Sequence, residues 1–247
     1  MKAQVATDLR HRREICATGR ALRELGFLPA AAGNLSVRLA DGRILATPSG
    51  AAKGELTPGD LILLWADGAV LPSRVRGSRG NRRPGAPSSE IQMHLRIYSL
   101  RPDVRAVCHA HPPVATGFAV AGRALDRAAL GETAILLGAV PLAPYAAPGT
   151  ADVGESIAPF ATRANAVLLA NHGVVTFGED LRTAAQRMEM VEHCARVTLL
   201  AELAGGAKLL TRAQVRTLLE SRPRYGLPPL LPGAIPWIAA EDESGKQ

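Results

Sequence analysis

Apolar positions recur at near-helical spacing from about Ala6 to Leu25, and the run stops at Gly26, a residue suited to a left-handed helix cap. The period then shortens to two. Gly33-Asn34-Leu35-Ser36-Val37-Arg38-Leu39 alternates as a strand does, Asp41-Gly42 supplies a turn, and Arg43 to Thr47 returns, which together predict a hairpin. A second pair, Leu61 to Trp65 and Ala69 to Leu71, flanks Asp67-Gly68. Ser88-Ser89-Glu90 has the composition of a helix start, its apolar run lasts to Leu100, and Pro102 closes it. A strand is predicted at Val104 to His109, a helix after Pro112-Pro113, and a strand at Val140 to Pro144. Ala166 to Ala170 is apolar without a break, as in a strand buried on both faces. Helices are predicted over Asp180 to Leu203 and Arg212 to Glu220, followed by a Pro-rich and then acidic tail expected to be ordered only in part.

Tight hairpins stand beside longer crossovers, and strands mix with helices throughout. That pattern suggests a mixed or antiparallel sheet covered by helices on both faces. No internal repeat and no sharp composition break divides the chain, so one domain is expected over residues 1–220, with a tail at 221–247.

Composition narrows the function classes. Of the 247 residues, 47% are apolar, enough for a true core, while aromatics are 4%, so that core must be built from Leu, Val, Ile and Ala. The three cysteines, Cys16, Cys108 and Cys194, have no CxxC spacing, which argues against a disulfide framework and for a reducing compartment. The N-terminus turns polar at once, and no apolar run reaches the ~18 residues of a membrane span, so a cytoplasmic protein is expected. Net charge is +7, but the charges are spread along the chain. The densest cluster, Arg74, Arg76, Arg79, Arg82 and Arg83, sits in a Gly/Pro-rich stretch at 72–87 without aromatic interleaving. This reads as a solvated loop, able at most to steer an anionic substrate, and not as a nucleic-acid surface.

Candidate chemistry lies in the histidines. His109 and His111 end a predicted strand, and residues two apart in a strand point the same way, so both imidazoles can share a metal while Cys108 faces the other side. His172 follows the buried run and precedes Gly173, at another strand end. Three histidines with an open fourth position is the pattern of catalytic zinc, whereas structural zinc is usually closed by four protein ligands. Glu90 is the candidate acid–base group, although a carboxylate in a first helical turn often serves only the helix dipole. His94 shares its helix face and reads as core packing or as a partner behind Glu90. His193 reads as structural or interfacial, and His11 as surface. Asn34, Thr47, Ser49, Gly50, Ser88 and Ser89 are small polar residues in turn contexts that can cradle a phosphate, as they can also populate ordinary turns. Neither GxxxxGK[ST] nor GxGxxG occurs, so nucleotide binding has no support.

Taken in order, Gly33-Asn34-Leu35-Ser36-Val37-Arg38, Thr47-Pro48-Ser49-Gly50, Pro87-Ser88-Ser89-Glu90, His109-Ala110-His111-Pro112, Pro144-Tyr145 with Pro148-Gly149-Thr150, and Asn171-His172-Gly173 resemble the class II aldolase/adducin family, in its L-fuculose-phosphate aldolase-like branch. The resemblance runs from about residue 6 to 205. It implies a three-layer α/β/α sandwich around a mostly antiparallel sheet, and a homotetramer with sites at subunit interfaces. It further implies Zn2+ on His109, His111 and His172, Glu90 as the catalytic glutamate, and Asn34, Ser49, Gly50, Ser88 and Ser89 as a pocket for the phosphate of a small sugar. The activity so implied is cleavage of a (deoxy)ketose 1-phosphate to dihydroxyacetone phosphate and an aldehyde.

The chain departs from that pattern at one point. The fuculose aldolase uses a tyrosine from a neighbouring subunit, and an ungapped count from His-x-His lands on Leu130. Tyr225-Gly226-Leu227 resembles a C-terminal Tyr-Gly-Leu stretch of that enzyme, which makes Tyr225 a candidate second acid–base group. The rival readings are a methylthioribulose-phosphate dehydratase, a pentulose-phosphate 4-epimerase (which typically has aspartate at the position of Glu90), a sugar-acid aldolase or decarboxylase, and a non-catalytic adducin-like module. The three retained histidines favour catalysis over the last.

Overall fold

The computed structural model describes residues 2–72 and 85–235, with side chains from Asp8 onward. The arginine cluster from Arg74 to Arg83 and residues 236–247 lie outside the described residues. In chain order the elements are α1 (Lys2–Glu24), β1 (Asn34–Arg38), β2 (Ile44–Ala46), β3 (Ile62–Leu64), β4 (Val70–Leu71), α2 (Ile91–Leu100), β5 (Ala106–Ala110), α3 (Pro113–Val120), α4 (Gly131–Leu136), β6 (Leu142–Ala143), α5 (Asp152–Ala161), β7 (Ala166–Leu169), β8 (Gly173–Gly178), α6 (Leu181–Leu203) and α7 (Arg212–Glu220). Short 3-10 turns stand at Lys53–Glu55, Pro58–Asp60 and Arg222–Tyr225.

The eight strands form one sheet in the order β4-β3-β2-β1-β5-β8-β7-β6. Every pairing is antiparallel except β6 with β7. The Asp41-Gly42 turn closes the first hairpin because Gly42 takes φ +85°, a value that is costly for other residues, and its register sets Ser36 against Ala46. Strand alternation then sorts side chains to two faces. Leu35, Val37, Ala106, Cys108 and Ala110 pack with α1, α3 and α6, whereas Ile44, Ile62, Val107, Val175 and Phe177 pack with α2 and α5. The α/β/α sandwich is therefore present, and its core is mainly aliphatic, as a chain poor in aromatics requires. All three cysteines are buried and unpaired. Among the described residues no helix is long and apolar enough to cross a membrane.

Three elements escape the sequence pattern. Strand β8 is buried at all six positions, so it shows no alternation, yet it lies between β5 and β7 near the middle of the sheet. Helix α5 carries Pro159 inside it, and α4 is only six residues long. Ala234 and Ile235 are buried, and the Ala139 amide donates to the Ala234 carbonyl at 3.0 Å, so the chain as far as residue 235 packs on α4 and α7.

Candidate metal centre and catalytic site

The site forms where β5 ends. Asn34 on β1 lies directly opposite His109, and Ala110 pairs with Val174 at the start of β8, which brings the turn carrying His172 alongside. Asn171 in that turn takes φ +55°, a left-handed conformation that asparagine tolerates better than most residues. His109 and His111 leave β5 on the same side, as the alternation predicts. The three ring centroids lie 4.7–5.1 Å apart, and each ring offers a nitrogen within 4.8 Å of the other two.

Local chemistry prepares these nitrogens to bind a cation. His109 is fully buried, and its Nδ1 meets the Val174 carbonyl oxygen at 2.9 Å, a contact it can make only as a donor. In the neutral ring Nε2 is then left with a free lone pair, facing His111 Nε2 at 3.1 Å. Burial, and next the charges of His109 and His172, push the His111 pKa down to about 3 despite the opposing pull of Glu90, so that ring is neutral at physiological pH. Three imidazoles whose nitrogens converge, and which give up any proton shared with Glu90 when a cation enters, are a good ligand set for a divalent metal.

Glu90 occupies the N-cap position of α2 but makes no side-chain cap bond. The helix-dipole reading therefore does not account for it. Its carboxylate turns inward instead, with Oε2 3.2 Å from His109 Nε2 and Oε1 3.0 Å from His172 Nε2. Asn34 Nδ2 donates to Oε2 at 2.8 Å. Burial alone would raise the Glu90 pKa, but the charges and hydrogen bonds of His109 and His172 outweigh it and hold the carboxyl well below its usual range. The group is a carboxylate at neutral pH, poised beside the three histidines.

Behind it lies a buried chain that the sequence reading only half anticipated. Ser36 Oγ is 2.7 Å from His94 Nδ1 and 2.8 Å from the Tyr98 hydroxyl. Ser36 was identifiable in principle, as a polar residue at an inward position of an alternating strand. Burial, reinforced by His109 and only partly opposed by Glu90, drives the His94 pKa from 6.5 to about 3. The folded state thus prefers neutral His94 while the unfolded chain protonates near 6.5, so this contribution to stability is intact above that pH and is lost progressively below it. The metal-free protein is expected to lose up to about 1.4 kcal/mol per pH unit from this group alone as pH falls from 6.5 towards 3. Melting temperature measured against pH checks this; a flat profile across that range would remove His94 as a source of acid lability.

The small polar residues also converge. The Thr47 hydroxyl accepts from Leu35 N at 3.2 Å, Thr47 N donates to the Leu35 carbonyl at 3.0 Å, and Ser88 N donates to the Thr47 carbonyl at 3.2 Å. Ser49 N donates to Ala86 O at 3.0 Å. Thr47 thus knits together the segments bearing Asn34, Ser49-Gly50 and Ser88-Ser89. Asn34 and Ser88 are buried, whereas Ser49, Gly50 and Ser89 are exposed, so a polar floor meets a solvent-facing rim. Gly149, from the Pro148-Gly149-Thr150 turn, abuts Ser89: a Cβ added there would stand 3.3 Å from the Ser89 Cβ.

Tyr225 is not brought to this place within the chain. It sits in the 3-10 turn after α7 and is 65% exposed, and among the described residues it has no hydrogen bond to the histidine cluster. Leu130 caps the start of α4, half-buried. His11 pairs with Glu14, and His193 is exposed on α6. The neighbouring Glu192 is buried and accepts from the Val114 and Ala115 amides, which anchors the start of α3 just beyond His111.

Close packing at Gly173 also fixes the cluster. A Cβ there would lie 2.6 Å from His111 Cδ2 and 2.8 Å from the Ala110 carbonyl oxygen, so a side chain must displace the ring. Gly173→Ala is expected to weaken divalent-metal affinity by roughly 10–100-fold, the scale of errors in ligand support. Metal titration of the folded variant measures this, and wild-type affinity would show that the ring has room to move.

Comparison with known proteins places these features in context. The family model for the class II aldolase and adducin N-terminal domain matches residues 13–199. The 3-oxo-tetronate 4-phosphate decarboxylase of Pectobacterium atrosepticum is 34% identical over 203 residues, covering 81% of this chain and 88% of that protein. The 5-deoxy-D-ribulose 1-phosphate aldolase of Bacillus thuringiensis is 31% identical over 219 residues, covering 88% and 97%. The crystal structure of YgbL from Escherichia coli superposes with a TM-score of 0.75 at 32% identity, over 86% of this chain and 99% of that one.

Proposed function

The chain belongs to the class II aldolase and adducin family, and on that premise we propose that it is a metal-dependent lyase that generates an enediolate from a small phosphorylated 3-oxo sugar acid. The observation that carries this reading is the convergence of Glu90 with His109 and His172, at 3.2 and 3.0 Å, beside the neutral polar floor of Asn34 and Ser88. His109, His111 and His172 would hold the cation, and zinc suits three imidazoles with an open position. A divalent ion there supplies Lewis acidity, stabilising negative charge that develops on the substrate's adjacent oxygens.

The chain's own groups perform the rest. Ser49, Gly50, Ser88 and Ser89 bind the phosphate and so fix which carbon faces the histidines. Asn34 holds the Glu90 carboxylate in place through its 2.8 Å bond. In a 3-oxo-tetronate 4-phosphate the C1–C2 bond breaks, its electron pair passes to C2 and the C3 carbonyl, and CO2 departs. The enediolate then takes one proton at C2, drawn from solvent and relayed through Glu90, which ends the step as the carboxylate it began as; the product is dihydroxyacetone phosphate.

Decarboxylation takes precedence over aldol cleavage here for a chemical reason. Cleaving a ketose 1-phosphate between C3 and C4 yields the same enediolate, but it also requires a base for the C4 hydroxyl proton. The chain has Leu130 where the resemblance calls for a tyrosine, and CO2 loss needs no such base. The decarboxylase named above supports the same choice. The aldolase named above keeps the second reading in play. In that reading Tyr225 of a neighbouring copy in a homotetramer would serve as the base, its 65% exposure leaving it available.

The test is to offer the metal-loaded protein 3-oxo-tetronate 4-phosphate and a panel of deoxyketose 1-phosphates, following CO2 and dihydroxyacetone phosphate separately. Both products in equal amounts from the sugar acid, stopped by a chelator, are expected. Dihydroxyacetone phosphate from the ketoses alone would replace this reading with aldol cleavage, and neither product from any compound would sink both.

A further inference from the structure

We propose that Lys53 is a positioning residue for the substrate's anionic group: its buried ammonium ties the loop leading into Asn34 to the turn that carries Ser49 and Gly50, and supplies positive charge to a cradle whose own side chains, among the described residues, are neutral. The proposal rests on the phosphate reading given above and adds a residue to it.

Lys53 opens the 3-10 turn Lys53–Glu55, just past Gly50 in the chain, and is only 2% exposed. Its Nζ donates to the Ala31 carbonyl at 2.5 Å, two residues before Gly33 and three before Asn34. Its backbone is pressed against α1, where a Cβ on Gly19 would lie 2.5 Å from the Lys53 carbonyl oxygen. The side chain therefore spans two of the segments that Thr47 also joins, and it cannot relax towards solvent by shifting its own backbone.

Its charge is the unusual feature. Lysine is almost never fully buried unless paired, because an ammonium loses its hydration there. Among the described residues no carboxylate forms an ion pair with Lys53. Burial lowers its pKa, and Glu90, already engaged by His109, His172 and Asn34, opposes this. Asn34, Ser49, Gly50, Ser88 and Ser89 are all neutral, whereas a phosphate monoester carries nearly two negative charges at neutral pH. A buried cation with no ion-paired carboxylate among the described residues, held between the segment leading into Asn34 and the one following Ser49-Gly50, draws the substrate's phosphate to the cradle those segments form. A purely structural strut would need the hydrogen bond to Ala31 and not the charge.

Lys53→Gln separates these two roles, since its amide can still donate to the Ala31 carbonyl but carries no charge; Lys53→Arg keeps the charge. Inorganic phosphate is the probe, titrated calorimetrically into each metal-loaded protein, with KM and kcat for the phosphorylated substrate measured in parallel. Lys53→Gln is expected to bind phosphate at least about tenfold more weakly and to raise KM to match. Its kcat should stay within about threefold of wild type with metal content unchanged, and Lys53→Arg should recover most of the affinity. Wild-type phosphate affinity in folded Lys53→Gln overturns the proposal and leaves the pocket intact. Wild-type protein that binds no phosphate overturns the pocket reading and this proposal together. Should Lys53→Gln not fold, loss of phosphate affinity in folded Lys53→Arg would also overturn it.

Discussion

Replacing His109 with alanine is expected to remove bound divalent metal and, with it, roughly a thousandfold or more of turnover. His109 makes two commitments at once: Nδ1 donates to the Val174 carbonyl, and Nε2 faces His111 at 3.1 Å. Alanine deletes a ligand and also strips the Val174 carbonyl of the imidazole donor and Glu90 Oε2 of its His109 contact, leaving that carboxylate to Asn34 and His172 alone. Loss of electrostatic stabilisation at a developing oxyanion costs about 10²–10³-fold even when a single donor is removed, and loss of the cation should exceed that. Metal content by elemental analysis and kcat of the same sample test the claim. His109→Asn guards against a folding artefact, because its amide can still donate to Val174 while one imidazole ligand is gone. If either variant keeps both its metal and its turnover, the three-histidine centre is not where the chemistry happens.

That centre was largely legible in the sequence because strand geometry is simple. Period-two alternation puts His109 and His111 on one side and Cys108 on the other, and the structure places them so. His172 was recognisable from its place after a buried apolar run. Harder to read was everything set by pairing over long sequence distances. Strand β8 looks featureless because both its faces are covered, yet it supplies the Val174 carbonyl that orients His109. Glu90 could equally have been a helix-dipole carboxylate, and only the packing of α2 against β1 and β5 shows its side chain turned inward. Lys53 gave no signal at all. A lone lysine in a turn reads as solvated surface, and its burial follows from the approach of α1 through Gly19, which no local pattern encodes. Tyr225 marks the opposite limit: a three-residue match pointed to it, but a single chain does not carry it to the histidines.

Glu90→Gln is expected to keep the metal and the fold while losing about 10²–10⁴-fold in turnover, the usual worth of a positioned acid–base group. The substitution is nearly isosteric, and the amide oxygen can still accept from Asn34 Nδ2, now at 2.8 Å from Oε2. It removes the negative charge and, with it, the capacity to take up and release a proton. The effect should therefore fall on one step, and a partial reaction isolates it. Dihydroxyacetone phosphate incubated with wild-type enzyme in D2O should exchange a hydroxymethyl C–H, because proton removal there regenerates the shared enediolate whether CO2 or an aldehyde is the leaving group. In Glu90→Gln that exchange should fall in step with kcat. A variant that loses turnover but exchanges normally would place Glu90 at bond cleavage or metal positioning instead, and one that keeps both activities would leave proton transfer to a group that the single chain does not bring to the site. Because the wild-type carboxyl is held well below its usual range by His109 and His172, and a bound cation would add positive charge beside it, the base form is fully populated at neutral pH. Any acid limb in the exchange rate near pH 6 must then arise from another group, which separates the role of Glu90 from the protonation of the histidines around it.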